Sequence, residues 1–361
     1  MANPSGQSLD RTANSEIRNY YQSHRLFRDR YRVLKKLGQG GFGVTYLAQN
    51  ATLPGEPYCV IKQLCPKACN ELSLERAKVR FRREARALAS LGSHSQIPQL
   101  LDYFTTGGEF YLVQDYVHGD TLAQEVRRQG RLNETQVKSF LREIIPVVRF
   151  IHRNRIIHRD IKPPNIIRSE RDRRLVLIDF GAVREFLSDV EDQSSAQAPA
   201  TQFVGTPGFA PPEQLALRPC YSSDIYALGI TSLYLLTART PIEFDQDSRT
   251  GIIRWHHTVD VSPHLTTVLD KMLMPDAHDR YTTVDQLERA LELEPHLEAL
   301  ASCMNTRDRP LYAPDGSPAE LNSDTYLTPT QREAQAIRKW RSKRALRQGQ
   351  NGRPAGPISL P

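Results

Sequence analysis

The 361-residue chain is 39% hydrophobic, 25% charged and 8% aromatic, a globular composition that excludes disorder throughout, a fibrous repeat and a disulfide-stapled miniature. Its five cysteines (Cys59, Cys65, Cys69, Cys220 and Cys303) are an odd number in a long chain and read as the reduced thiols of a cytoplasmic protein. The net charge of +7 sits mostly at the C-terminal end, with ten Lys and Arg against five Asp and Glu from Ala299 onward, so the nearly balanced body gives little support to global nucleic-acid binding.

Residues 1–30 are polar with scattered charge, and the sequence predicts that they lie loosely outside the fold. The opening MANPSGQSLD has no basic stretch leading into an apolar one, so it does not read as a signal peptide. From Tyr31 come short strand-like runs, YRVLKKLG, VTYLAQ and YCVIKQL, the last two joined by a Pro54-Gly55 turn. Residues 72–91 switch to helical spacing, with Leu74, Phe81, Leu88 and Leu91 on one side. Two more strand-like runs, LLDYF and FYLVQDYV, flank a Thr-Thr-Gly-Gly-Glu turn. Beyond Gly130 the pattern is mainly helical. Asn133 followed by Gln136 is a capping signal for a helix to about Arg153, which Pro146 is expected to kink. The apolar run Ile225 to Leu236 is too short for a membrane span and reads as a buried helix. Strands first and helices afterwards predict an α+β fold in two lobes.

Three signals carry chemistry. The first is Gly38-Gln39-Gly40-Gly41-Phe42-Gly43-Val44, between two strands. Glycines let backbone N–H groups approach phosphate oxygens. Strand–turn–strand context argues against a dinucleotide-binding fold, and the lack of any Gly-Lys pair excludes a Walker-type loop. The second is Lys62, between Val60, Ile61 and Leu64. A lysine there needs an anionic partner if buried, and Glu84 on the following helix is the natural one. Alone, these two would pass for a hairpin turn and an exposed strand lysine. The third is Ile156-Ile157-His158-Arg159-Asp160-Ile161-Lys162-Pro163-Pro164-Asn165, followed by an apolar strand and Asp179-Phe180-Gly181.

With that third signal the sequence resembles the protein kinase family from about Tyr31 to Glu294, in a style similar to bacterial, cyanobacterial-type, eukaryotic-like Ser/Thr kinases. The resemblance implies a bilobal fold: an antiparallel sheet plus one helix over about 31–117, and a mainly helical lobe over about 118–296. Residues 297–361 are left as a linker and basic tail. It implies ATP and Mg²⁺, with phosphoryl transfer to Ser or Thr hydroxyls of proteins. On this likeness Asp160 handles the acceptor proton, Lys62 holds the α- and β-phosphates with Glu84 behind it, and Asn165 and Asp179 bind the metal. Lys162, which points to Ser/Thr rather than Tyr, contacts the γ-phosphate. Thr206 bridges Asp160 and Lys162. Nucleotide contacts fall to Leu37, Gly38, Gly40, Gly41, Phe42, Gly43, Val44, Val60 and Ile167, and to the backbone of Asp115 and Val117.

Gly205 to Glu213 resembles the segment that closes the activation loop. Asp224 matches the aspartate opening the central helix, and Arg280 the arginine that pairs with Glu213. Arg159, just before Asp160, implies a grip on an activation-loop phosphate, with Thr201 the expected autophosphorylation site. The sequence departs from the family pattern at Pro164, Val60, Pro211 and the polar gatekeeper Gln114; none of these removes a charged participant. A pseudokinase scaffold and a small-molecule kinase of related fold are the rival readings. The tail helix at 330–348 leaves three readings open: contact with an anionic surface or nucleic acid, a pseudosubstrate across the cleft, or a solvated tail.

Overall fold

The computed structural model describes residues 17, 20, 25–39, 43–64, 71–92, 94–107, 109–181, 184–185, 206 and 208–294. The expectations for Gly40, Gly41, Phe42, Thr201 and the C-terminal tail lie outside these residues. The chain divides at Pro295, and everything described belongs to the first unit.

Five strands, β1 (Tyr31–Gln39), β2 (Gly43–Asn50), β3 (Tyr58–Leu64), β4 (Leu100–Thr106) and β5 (Glu109–Asp115), form an antiparallel sheet ordered β1-β2-β3-β5-β4. Register puts Lys62 of β3 opposite Thr45 of β2 and Leu112 of β5. Because side chains alternate along a strand, Val60 and Lys62 share one face of β3 and Cys59 and Ile61 the other. The first pair lines the interlobe cavity; the second enters an outer core with Tyr46, Phe104 and Tyr111. Helix α1 (Glu71–Leu91) buries Phe81, Leu88 and Leu91 in the main core.

The outer face of the sheet departs from the sequence expectation. Ile17 and Phe27, in the segment predicted to lie loosely, are 0% and 1% exposed in this outer core. Tyr20 meets the Phe27 ring edge-on at 5.5 Å, and Phe27 lies 4.9 Å from Tyr111. The physical reason is the aromatic face made by Tyr31, Phe104 and Tyr111, which loses free energy if left in water. A few apolar and aromatic residues in an otherwise polar run suffice to cover it.

The second lobe begins at β6 (Gly119–Thr121), which pairs with β8 (Ile166–Ser169), itself paired with β9 (Leu175–Leu177). Gly119 has φ +147°, and a Cβ there would sit 2.0 Å from the Arg168 carbonyl oxygen, so only glycine lets the strands close. Helices α2 (Leu122–Gln129) and α3 (Glu134–Arg153) both start with capping boxes, Thr121 with Gln124 and Asn133 with Gln136. Helix α3 runs unbroken through Pro146, which is exposed. On that side water can satisfy the carbonyl that loses its partner. Strands β7 (Ile156–Ile157) and β10 (Arg184–Glu185) pair, and α4 (Pro212–Leu215), α5 (Tyr221–Thr237), α6 (Pro263–Met272) and α7 (Val284–Glu292) complete the lobe. Helix α5 is buried nearly all round, including Ser222, Ser223, Asp224, Thr231 and Ser232. No helix among the described residues is long and apolar enough to cross a membrane.

Candidate active site

Between the sheet and the helical lobe lies a cavity of about 820 Å³. Leu37, Val44 and Val60 line it from the sheet, and Ile167 from the opposite lobe. Asp115 and Val117, on the segment joining the lobes, and Gln114 behind them close the apolar end. Gly38 and Gly43 flank the glycine-rich turn at its mouth.

The polar end has two clusters. In the first, Lys62 Nζ donates to Glu84 Oε1 at 2.6 Å and to Asp179 Oδ1 at 3.0 Å. Burial works against the charge of Lys62, but the carboxylates of Asp179 and Glu84 outweigh it and raise its pKa above that of a free lysine. The two acids then divide. Lys62 holds Asp179, whose side chain is 45% exposed towards the cleft, at about 2, whereas burial pushes Glu84, 6% exposed, upward. Gly181 permits this approach: a Cβ on it would lie 3.3 Å from Glu84 Oε2.

In the second cluster Asp160 takes three side-chain hydrogen bonds. Lys162 Nζ and Asn165 Nδ2 donate to its Oδ2 at 2.7 and 2.9 Å, and Thr206 Oγ1 donates to its Oδ1 at 2.9 Å. Lys162 also donates to Thr206 Oγ1 at 2.6 Å. A carboxylate offers about four lone-pair sites, so one on Oδ1 remains for an incoming hydroxyl. The Asn165 amide group spends its N–H donors on Asp160, including the backbone carbonyl at 2.9 Å, and keeps its oxygen for another partner.

The turn that presents Asp160 is strained. Arg159 has φ +69°, a left-handed conformation that costs a non-glycine residue about 1–2 kcal/mol. Asp224, fully buried at the start of α5, offsets this by accepting from the N–H groups of His158 at 2.9 Å and Arg159 at 2.8 Å. His152 Nε2 donates to the same carboxylate at 2.8 Å. Burial opposes the charge of Asp224, yet the His152 hydrogen bond and the neighbouring imidazoles and N–H groups bring its pKa below the usual carboxylate range. His158 is fully buried against the Phe180 ring, and burial lowers its pKa towards the neutral imidazole.

An acid whose folded pKa is depressed adds stability above its unfolded value of about 3.9 and loses it as pH falls through the folded one. The urea midpoint of the wild-type chain is therefore expected to drop between pH 5 and pH 3 by more than that of Asp224→Asn. Equal drops would remove Asp224 from the account.

Beyond Thr206, Glu213 of α4 forms a two-pronged pair with Arg280, at 2.7 and 3.0 Å, and accepts from Ser223 Oγ at 2.7 Å. Gln214, 1% exposed, donates to the Arg159 carbonyl at 2.7 Å. His152, Ser223 and Gln214 were not singled out from sequence. No spacing rule marks them, because each acts through a contact between separate elements, over 10 positions for Ser223, 55 for Gln214 and 72 for His152.

The ordered motifs and the lysine–glutamate–aspartate cluster facing a second carboxylate across one cleft agree with the family comparison: the protein kinase domain matches residues 31–291. The chain belongs to the protein kinase family. Serine/threonine-protein kinase B of Synechocystis is 48% identical over 277 residues, covering 76% of this chain and 48% of that protein. Serine/threonine-protein kinase PknA of Nostoc is 45% identical over 270 residues, covering 74% and 48%. Serine/threonine-protein kinase PrkC of Bacillus subtilis is 31% identical over 275 residues, covering 72% and 39%. The chain spans about half the length of the two cyanobacterial relatives, and its matches to them place this kinase domain in a cyanobacterial-type, eukaryotic-like Ser/Thr group.

Proposed function

We propose that this chain is a Ser/Thr protein kinase that moves the γ-phosphoryl group of ATP onto Ser or Thr hydroxyls of proteins. The observation that carries the reading is the meeting of two polar clusters in one cleft: Lys62 with Glu84 and Asp179 on one wall, Asp160 with Lys162, Asn165 and Thr206 on the other.

The chemistry follows from the positions. A purine fits the apolar end under Val60 and over Ile167, where the backbone of Asp115 and Val117 can read its edge. Lys62, kept cationic by its two carboxylates, is placed to hold the α- and β-phosphates. The donor set at Asn165 and Asp179, an amide oxygen and a half-exposed carboxylate, consists of hard oxygens of the kind Mg²⁺ takes together with phosphate. These two residues would hold the ion, whose contribution when bound is positive charge against the phosphate oxygens. The acceptor hydroxyl approaches the open lone pair of Asp160, which takes its proton as the hydroxyl oxygen bonds to the γ-phosphorus. The bond to the ADP oxygen breaks, and ADP leaves with the electron pair. Lys162, between Asp160 and Thr206, lies where it can neutralise the transferring group. Free thiols at Cys59 and Cys220 and dependence on ATP support a cytoplasmic setting.

The regulatory part of the reading is autophosphorylation at Thr201, where a phosphate of about −1.5 to −2 charge would dock near Arg159. Incubation of the full chain with γ-labelled ATP, Mg²⁺ and acceptor peptides bearing Ser, Thr or Tyr tests both parts. Label is expected on the Ser and Thr peptides and, by phosphopeptide mapping, on Thr201. Nucleotide binding without label on any acceptor would identify a scaffold, and label on the Tyr peptide alone would overturn the acceptor assignment.

A further inference from the structure

The peptide between Arg159 and Asp160 is part of a turn gripped from two sides. Asp224 of α5 takes the N–H of Arg159 at 2.8 Å, and Gln214 of α4 gives a hydrogen bond to its carbonyl oxygen at 2.7 Å. Gln214 is buried, and the backbone it holds is left-handed at a residue with a full side chain. Such a conformation persists only where its surroundings over-determine it. The carbonyl that Gln214 holds shares its peptide plane with the nitrogen of Asp160, so fixing that plane fixes the direction from which the Asp160 side chain sets out.

The other end of the link is equally anchored. Glu213, the neighbour of Gln214, is clamped by Arg280 and Ser223, so α4 has one seat against the start of α5. We propose that Gln214 is a positioning residue for phosphoryl transfer: through the Arg159 carbonyl it makes the aim of Asp160 depend on the seating of the acceptor-side segment. When that segment is seated, the amide completes the grip on the turn. When it shifts, the carbonyl loses this donor, and the grip of Asp224 on the N–H groups of His158 and Arg159 is no longer matched from the side of α4. The Gln214 amide thereby couples the acceptor-side segment to the backbone of the base that serves the acceptor, beside the bond that the Thr206 hydroxyl makes to the Asp160 side chain.

The inference rests on the kinase reading above, and the experiment separates the two. Gln214→Met keeps length and bulk but removes the donor. For the full chain, kcat towards an acceptor peptide is expected to fall about 10–100-fold, because a misaimed catalytic group costs that order. KM for ATP is expected to stay within about twofold, since no nucleotide contact is touched. Gln214→Glu supplies the readout that a merely structural role would not move. Its carboxylate cannot donate to a carbonyl, but its protonated form can, and burial raises the pKa of a carboxyl group. Its kcat relative to wild type is therefore expected to climb as pH is lowered from about 8 to about 6. Wild-type kcat in Gln214→Met, or a Gln214→Glu deficit that is the same at every pH, would overturn the proposal. If the wild-type chain transfers no phosphate, the kinase reading fails on its own. Hydrogen exchange at residues 158–160 then decides the coupling: faster exchange in Gln214→Met supports it, and unchanged exchange rejects it.

Discussion

Asp160→Asn is expected to lose phosphoryl transfer by roughly 10²–10⁴-fold while binding nucleotide as wild type does. The substitution keeps the shape of the side chain and removes only its charge and basicity. Its amide oxygen can still accept from Lys162 and Asn165 in place of Oδ2, and its amide nitrogen can donate to Thr206 Oγ1 in place of the bond now made by that hydroxyl. The local network therefore has a satisfied arrangement, and the fold has no reason to move. What disappears is the open lone pair of an anion placed to take the acceptor's proton. Nucleotide contacts lie with Lys62, the apolar walls and the joining segment, on the other side of the cavity. Single-turnover transfer from labelled ATP, beside a fluorescence titration with ADP, reads both quantities. Transfer within about threefold of wild type would take Asp160 out of the proton-handling role.

The parts of this site that share a stretch of chain were legible through the resemblance that their motifs carry. The separation of Asp160, Lys162 and Asn165 is set by one short turn, and Asp179 follows the two-stranded return of β8 and β9, so their meeting is a local matter. Lys62 opposite Glu84 was readable for another reason: a lysine inside an apolar strand demands an anion, and the next helix offers one near its apolar stripe. Contacts made across the fold were not readable. Gln214 bonds a residue 55 positions away and His152 one 72 positions away, and a glutamine or histidine on a helix has many unremarkable uses.

The N-terminal segment failed for a related reason. Ile17 stands between Glu16 and Arg18, and Phe27 has only Leu26 beside it in a charged run, so their burial is decided by the aromatic face of a sheet formed later in the chain. Helix α3 went the other way. Its start is set by Asn133 and Gln136, side chains that bond backbone groups within three residues, while Pro146 sits inside the helix on an exposed side, where water can satisfy the freed carbonyl.

Arg280→Met is expected to cost about 3–5 kcal/mol of stability, the range for breaking a buried ion pair from one side. The guanidinium is 0% exposed, and its donors are fully used. Besides the two bonds to Glu213 it gives one each to the carbonyls of Met274 at 2.5 Å, Pro275 at 2.8 Å and Ser222 at 3.3 Å, and it lies 4.8 Å from the Tyr226 ring. Removing it takes the donor from a largely buried carboxylate and three carbonyls together, and methionine, though close in length, can pair with none of them. Glu213→Gln should be milder, because its amide oxygen keeps one of the two bonds from Arg280 and the guanidinium keeps its carbonyl partners, although the amide nitrogen meets the other guanidinium N–H donor to donor. The loss in Arg280→Met would be a large share of the 5–15 kcal/mol that typical domains possess, so urea denaturation should show a strongly shifted midpoint with an unchanged slope. A shift no larger than that of Glu213→Gln would mean that the carboxylate finds water when its partner is gone. The seat of α4 would then have to come from Ser223 and the backbone, and the tie that runs from there through Gln214 to Asp160 would survive without the arginine.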